Sequence, residues 1–166
     1  MNTEFEAIAD VLKKAFQVEV DGFTFYSMAA ERTTKPAVRK LFERLARDET
    51  EHQAYIRAVM RRYEEHGASG FHFDPRDPDL AEFSSAIFTE SFKEQAQDEV
   101  SELGALSIGV QLESNAVAFF NTAARNATEP QITGFYQFLA DWEGMHLRTL
   151  QQLYDSIRVD FWPEKS

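Results

Sequence analysis

A chain of 166 residues with a hydrophobic share of 43% and 15 phenylalanines has material for one packed core. Its net charge of −11 argues against a nucleic-acid partner, because phosphate binding needs a basic patch. With no cysteine, the chain has no disulfide, thiolate-bound zinc, iron–sulfur cluster or rubredoxin-type iron.

No apolar run approaches the length of a membrane span, so no membrane partner is expected. The opening Met1-Asn2-Thr3-Glu4-Phe5-Glu6 carries no basic region followed by an apolar one, and a cytoplasmic protein is the expectation. Thr3-x-x-Glu6 reads as a capping box. Behind it Ile8, Leu12, Ala15, Glu19, Gly22, Tyr26 and Ala29 recur in alternating steps of four and three, a helical seam broken by Glu19. Thr33-Thr34-Lys35-Pro36 ends that helix, since proline and the residue before it resist continuation.

A second helix is expected from about 37 to about 65, with the seam Val38, Leu41, Leu45, Glu49, His52, Ile56, Val59 and Tyr63. Gly67-Ala68-Ser69-Gly70 closes it. Residues 71–80, with Pro75 and Pro78, read as irregular chain, and 82–95 as a short helix with Phe83, Ile87 and Phe92 inward. A third helix from about 98 carries Leu103, Leu106, Val110, Glu113, Val117, Phe120 and Ala124, and Pro130 follows its end. The fourth carries Ile132, Phe135, Leu139, Glu143, His146, Leu150, Leu153 and Ile157.

A constant offset relates the two halves. Shifted by 94, Glu19, Glu49 and His52 fall on Glu113, Glu143 and His146, Pro36 on Pro130, Phe25 on Phe119, and Leu45-Ala46 on Leu139-Ala140. Tyr26 falls on Phe120. The unit is therefore a helix pair used twice. The expected architecture is an all-α four-helix bundle in one domain over 1–160. Its pairs lie at about 3–66 and 98–158, joined by a long crossover over about 67–97, with a tail at 161–166.

Glu49-x-x-His52 and Glu143-x-x-His146 each place a carboxylate and an imidazole on one helix face. A single glutamate on a seam is more often a boundary residue reaching water than a ligand. Six such residues in register on four seams are another matter. Unpaired buried ions cost several kcal/mol each, and no lysine or arginine shares these seams. Two divalent cations balance four carboxylates while both histidines stay neutral. Glu49 and Glu143 would bridge, and Glu19, Glu113, His52 and His146 would be terminal, the pattern of di-iron and di-manganese bundles. The oxygen-rich set with one imidazole per metal favours iron, with manganese and zinc as alternatives.

Tyr26, two turns after Glu19, is placed to bond a ligating carboxylate, to donate one electron, or to serve as an ordinary core tyrosine. Phe120 can take neither polar role, so two slightly unequal metal positions are expected. Gly22, Thr50, Ala116 and Gly144 are small residues near the ligands. Asp48 and Glu51 are expected off the seam in solvent, and His66 and His72 at the surface.

With Glu19 and Phe25-Tyr26, Glu49-Thr50-Glu51-His52, Glu113 and Phe119-Phe120, and Glu143-Gly144-Met145-His146, the sequence resembles the rubrerythrin family of the ferritin-like superfamily. The resemblance implies a pair of iron ions reacting with hydrogen peroxide or dioxygen, and a homodimer. Typical members append a rubredoxin domain with four cysteines; here electrons would come from a separate donor protein or from Fe²⁺ itself. Members also commonly carry a further glutamate near the third-helix ligand, where this chain has Val110, Ala116 and Val117. The six-residue set is thus closer to the symmetric ferroxidase type of bacterioferritins. The alternative to an oxidoreductase is an iron-binding or storage-related protein without turnover, or a structural bundle.

Overall fold

The computed structural model describes residues 3–67 and 100–161, the side chains of 3–7, 100–101 and 156–161 excepted. Four helices account for them: α1 (Thr3–Arg32), α2 (Pro36–His66), α3 (Val100–Asn126) and α4 (Pro130–Phe161). No strand occurs among the described residues, and the chain is an all-α four-helix bundle. The crossover, its expected short helix and the last five residues lie outside the described residues, as do the side chains of the expected capping box.

The helix ends follow local chemistry. Pro36 stands in the first turn of α2, where its missing N–H costs nothing, behind extended Lys35. Thr33 organises the tight α1–α2 turn. Its Oγ1 accepts from Lys35 N and donates to Glu102 Oε1 at 2.8 Å, tying the turn to the start of α3. Gly67 closes α2 at φ 62°, where a side chain would be strained, and its N–H reaches Tyr63 O.

α1 packs chiefly on α2 and α3 on α4, with a thinner α1–α3 contact. The apolar core is split into two layers. One contains Leu12, Ile56, Val59, Phe120, Phe135 and Leu139. The other contains Tyr26, Leu41, Leu45, Leu106, Leu150 and Leu153. The 94-residue offset exchanges these two sets position by position: Leu12 with Leu106, Ile56 with Leu150, Leu41 with Phe135. The six expected ligand residues belong to neither layer and sit buried between them. The duplication therefore builds a polar stratum sealed on both sides by hydrocarbon.

α3 is turned slightly from the expected seam. Val110 and Val117 are half-buried, and Gly109 and Ala116 are inward instead. Small residues let α1 approach here. Over Glu102–Asn126 α3 is also apolar enough, by length and composition alone, to cross a membrane. The expectation that no apolar run approaches that length does not hold for this helix. In the fold it is a helix packed along α4 with Glu113 at its middle.

Candidate metal centre

α1 and α3 each bring one glutamate to the stratum, and α2 and α4 each bring a glutamate and a histidine one turn apart. All six are at most 5% exposed: Glu19, Glu49, His52, Glu113, Glu143 and His146. His52 Nδ1 lies 3.0 Å from Glu19 Oε2, 3.0 Å from Glu143 Oε1 and 3.3 Å from Glu49 Oε2. His146 Nδ1 lies 3.5 Å from Glu49 Oε1, 3.6 Å from Glu113 Oε1 and 3.6 Å from Glu143 Oε2. The imidazoles are nearly parallel, 5.3 Å apart.

Two quartets can each surround a cation, with donor atoms within 4.8 Å of one another: Glu19, Glu49, His52 and Glu143, and Glu49, Glu113, Glu143 and His146. Glu49 and Glu143 belong to both. That overlap is what two bridging and two terminal carboxylates require. The donor set fits a metal pair on a further ground. Glu19 Oε1 is buried with no hydrogen-bond partner among the described residues, a loss of about 1–3 kcal/mol that a cation would repair.

Without metal, the cluster redistributes protons. Burial, then Glu143, pushes the Glu19 carboxyl well above its ordinary range, and burial and Glu143 likewise raise Glu113 to about 8. Burial also works against ionised Glu143 and Glu49, but the two histidines outweigh it and hold both below the usual carboxylate value. Burial would neutralise the imidazoles. Instead Glu143 and Glu19 raise His52, and Glu113 with Asp48 and Glu143 raise His146.

Of the three roles left open for Tyr26, the structure shows a hydrogen bond to one of the clustered carboxylates, but on the opposite helix. Its hydroxyl donates to Glu113 Oε1 on antiparallel α3, not to Glu19 two turns back on its own helix. Burial and the Glu113 charge keep the phenol protonated far above its ordinary range, so the donor persists across the working pH range. Tyr26→Phe should cost the metal-free protein about 1–3 kcal/mol by stranding Glu113 Oε1, read as a lowered Tm. Asp48 corrects the sequence reading. It is not in solvent but 9% exposed, with Oδ2 3.6 Å from His146 Nε2 and Oδ1 held 3.0 Å from Arg44 Nε. Trp142 on α4 stacks on His52, with ring centroids 4.2 Å apart and planes 13° from parallel. Glu51 and His66 are exposed as expected, Thr50, expected near the ligands, is exposed too, and His72 lies outside the described residues.

A cavity of about 300 Å³ between α1 and α3 reaches the cluster, with Val18, Gly22, Leu112, Ala116 and Phe119 in its wall and Glu49, Glu113 and Glu143 at its floor. Gly22 is needed as a glycine: a Cβ there would stand 3.1 Å from Glu49 Cδ and Oε1. We expect Gly22→Ala to displace Glu49 and weaken divalent-metal binding several-fold. Tm of the metal-free protein should change little, because about 1 kcal/mol of helix propensity offsets the crowding.

The fold and the cluster together define a helical bundle with a buried carboxylate–histidine centre able to bind metal. The rubrerythrin family model matches residues 10–154, and the chain belongs to the rubrerythrin family. No curated protein and no solved structure matches it significantly.

Proposed function

We propose that this chain is a di-iron oxidoreductase in which Fe²⁺ is oxidised by hydrogen peroxide or dioxygen. The observation that carries the reading is the pair of buried quartets sharing Glu49 and Glu143. The bound iron would supply electrons and Lewis acidity for cleaving an O–O bond. The chain supplies the rest. Glu49 and Glu143 hold two cations together, and Glu19, Glu113, His52 and His146 complete them. Tyr26 orients Glu113, the two apolar layers exclude bulk water, and the α1–α3 cavity admits a small oxidant.

The lack of a further glutamate at Val110, Ala116 or Val117 favours the ferroxidase-type reading over the peroxidase one. Stopped-flow mixing of anaerobic Fe²⁺-loaded protein with each oxidant tests it. Oxidation at least as fast with O₂ as with peroxide supports a ferroxidase, and oxidation by peroxide alone a peroxidase. Iron bound without rapid oxidation by either leaves the alternative, an iron-binding protein without turnover. The protein would work in the cytoplasm and draw electrons from a separate donor or from Fe²⁺. We also propose a homodimer; exposed Phe23, Met28 and Ile108 on α1 and α3 support an apolar contact, and light scattering would measure it.

A further inference from the structure

The 94-residue offset provides an internal control, because the same backbone position can be compared in both halves. Two of the positions that differ act directly on the ligands. Asp48 corresponds to Trp142, and Tyr26 to Phe120.

Beside His146, the Asp48 carboxylate faces Nε2 from 3.6 Å, on the ring edge away from the nitrogen that meets the glutamates. Arg44 fixes that carboxylate from the previous turn of α2. Beside His52, the equivalent place holds an indole stacked on the imidazole face, whose own Nε1 has no acceptor among the described residues. The terminal glutamates differ in the same sense. Glu113 is held by the Tyr26 hydroxyl, whereas Phe120 offers Glu19 nothing and Glu19 Oε1 stays without a partner among the described residues.

We propose that the two metal positions fill in a fixed order. The position bounded by Glu113 and His146 takes the first divalent cation, and the one bounded by Glu19 and His52 takes the second. This rests on the two-metal reading above. A carboxylate behind a ligating imidazole fixes its tautomer and raises its basicity; losing such a partner typically costs about 10–100-fold in metal affinity. Asp48 also adds negative charge close to the first position. Tyr26 holds Glu113 before the cation arrives, so less freedom is lost on binding. The His52 position has neither aid.

The test is anaerobic titration of the metal-free full chain with Co²⁺, followed by calorimetry and visible absorption. Because Glu49 and Glu143 are shared, even a symmetric centre would bind its second cation more weakly, so the variants decide. His52→Ala should keep one tight equivalent, and His146→Ala only a weak one. Asp48→Asn, which removes no ligand and keeps the side-chain shape, should weaken the first step by about tenfold or more, while Trp142→Phe leaves that step unchanged. The order is overturned if His146→Ala keeps the tight equivalent and His52→Ala loses it, or if Asp48→Asn binds like wild type. Circular dichroism checks that each variant folds. If a histidine variant does not, Asp48→Asn still decides. Wild-type protein that takes up no Co²⁺ would overturn the two-metal reading itself.

Discussion

Loading the metal-free protein with two equivalents of a divalent cation at pH 7 is expected to release up to four protons. The count follows from the charge balance of the stratum. Without metal, the shifts favour protonated His52 and His146, ionised Glu49 and Glu143, and neutral Glu19 and Glu113. With two cations, four ionised carboxylates carry −4 against +4, and both imidazoles must be neutral to ligate. Glu19, Glu113, His52 and His146 are the four groups from which a proton can leave. Metal affinity should therefore rise steeply with pH, and proton uptake by a pH indicator in weak buffer measures the number. Release of one proton or none would mean that the glutamates and histidines are already deprotonated, or that they are not the ligands.

The same protons set the pH dependence of the metal-free fold. Glu19 and Glu113 have raised values, so each contributes stability that is complete below the ordinary carboxylate value of 4.5. It is lost as pH rises, for Glu113 through about 8. The two histidines, also raised, contribute stability that is complete below 6.5 and lost as pH climbs through their higher folded values. Glu49 and Glu143 run the other way, and their contribution is lost only as pH falls through lowered values. Metal-free protein should lose Tm between pH 5 and pH 9, while the gap to metal-loaded protein widens.

The fold and the six clustered residues were legible because a polar residue in an apolar seam is conspicuous, and the offset of 94 removed coincidence. Neighbours of those residues were not legible in the same way. Asp48 adjoins Glu49 on α2 and by helical spacing belongs off the seam, yet α4 passes over that flank and presents His146 Nε2 to it. Two signals pointed there: Arg44 sits four residues before Asp48, and the equivalent position in the second half is the unlike Trp142. Tyr26 was read by its spacing from Glu19 on one helix, but its partner depends on how antiparallel α3 lies against α1. The inward turn of Gly109 and Ala116 in place of Val110 and Val117 likewise follows from packing between helices. Periodicity within one helix cannot state it.

Replacing each clustered glutamate with glutamine should separate two classes of proposed ligand. In metal-free protein the raised values favour the neutral form of Glu19 and Glu113, so Glu19→Gln and Glu113→Gln exchange one uncharged group for another of the same shape. Their Tm should stay close to wild type although each variant loses a ligand and binds metal more weakly. Glu143→Gln is different. Glu143 lies 3.0 Å from His52 Nδ1 and 3.6 Å from His146 Nδ1, and it is one of two anions balancing two buried cations. Removing that charge leaves an uncompensated buried imidazolium, with an expected cost of about 3–5 kcal/mol, or roughly 6–20 °C in Tm for a chain of this size. Glu49→Gln should behave similarly, and the double change Glu49→Ala/Glu143→Ala should abolish binding of both cations, since the two positions share these ligands. Thermal melts at pH 6 with chelator, paired with Co²⁺ titrations, separate the outcomes. Equal destabilisation by all four glutamine variants would refute the proton distribution, and full metal uptake by the double variant would refute the bridging roles of Glu49 and Glu143.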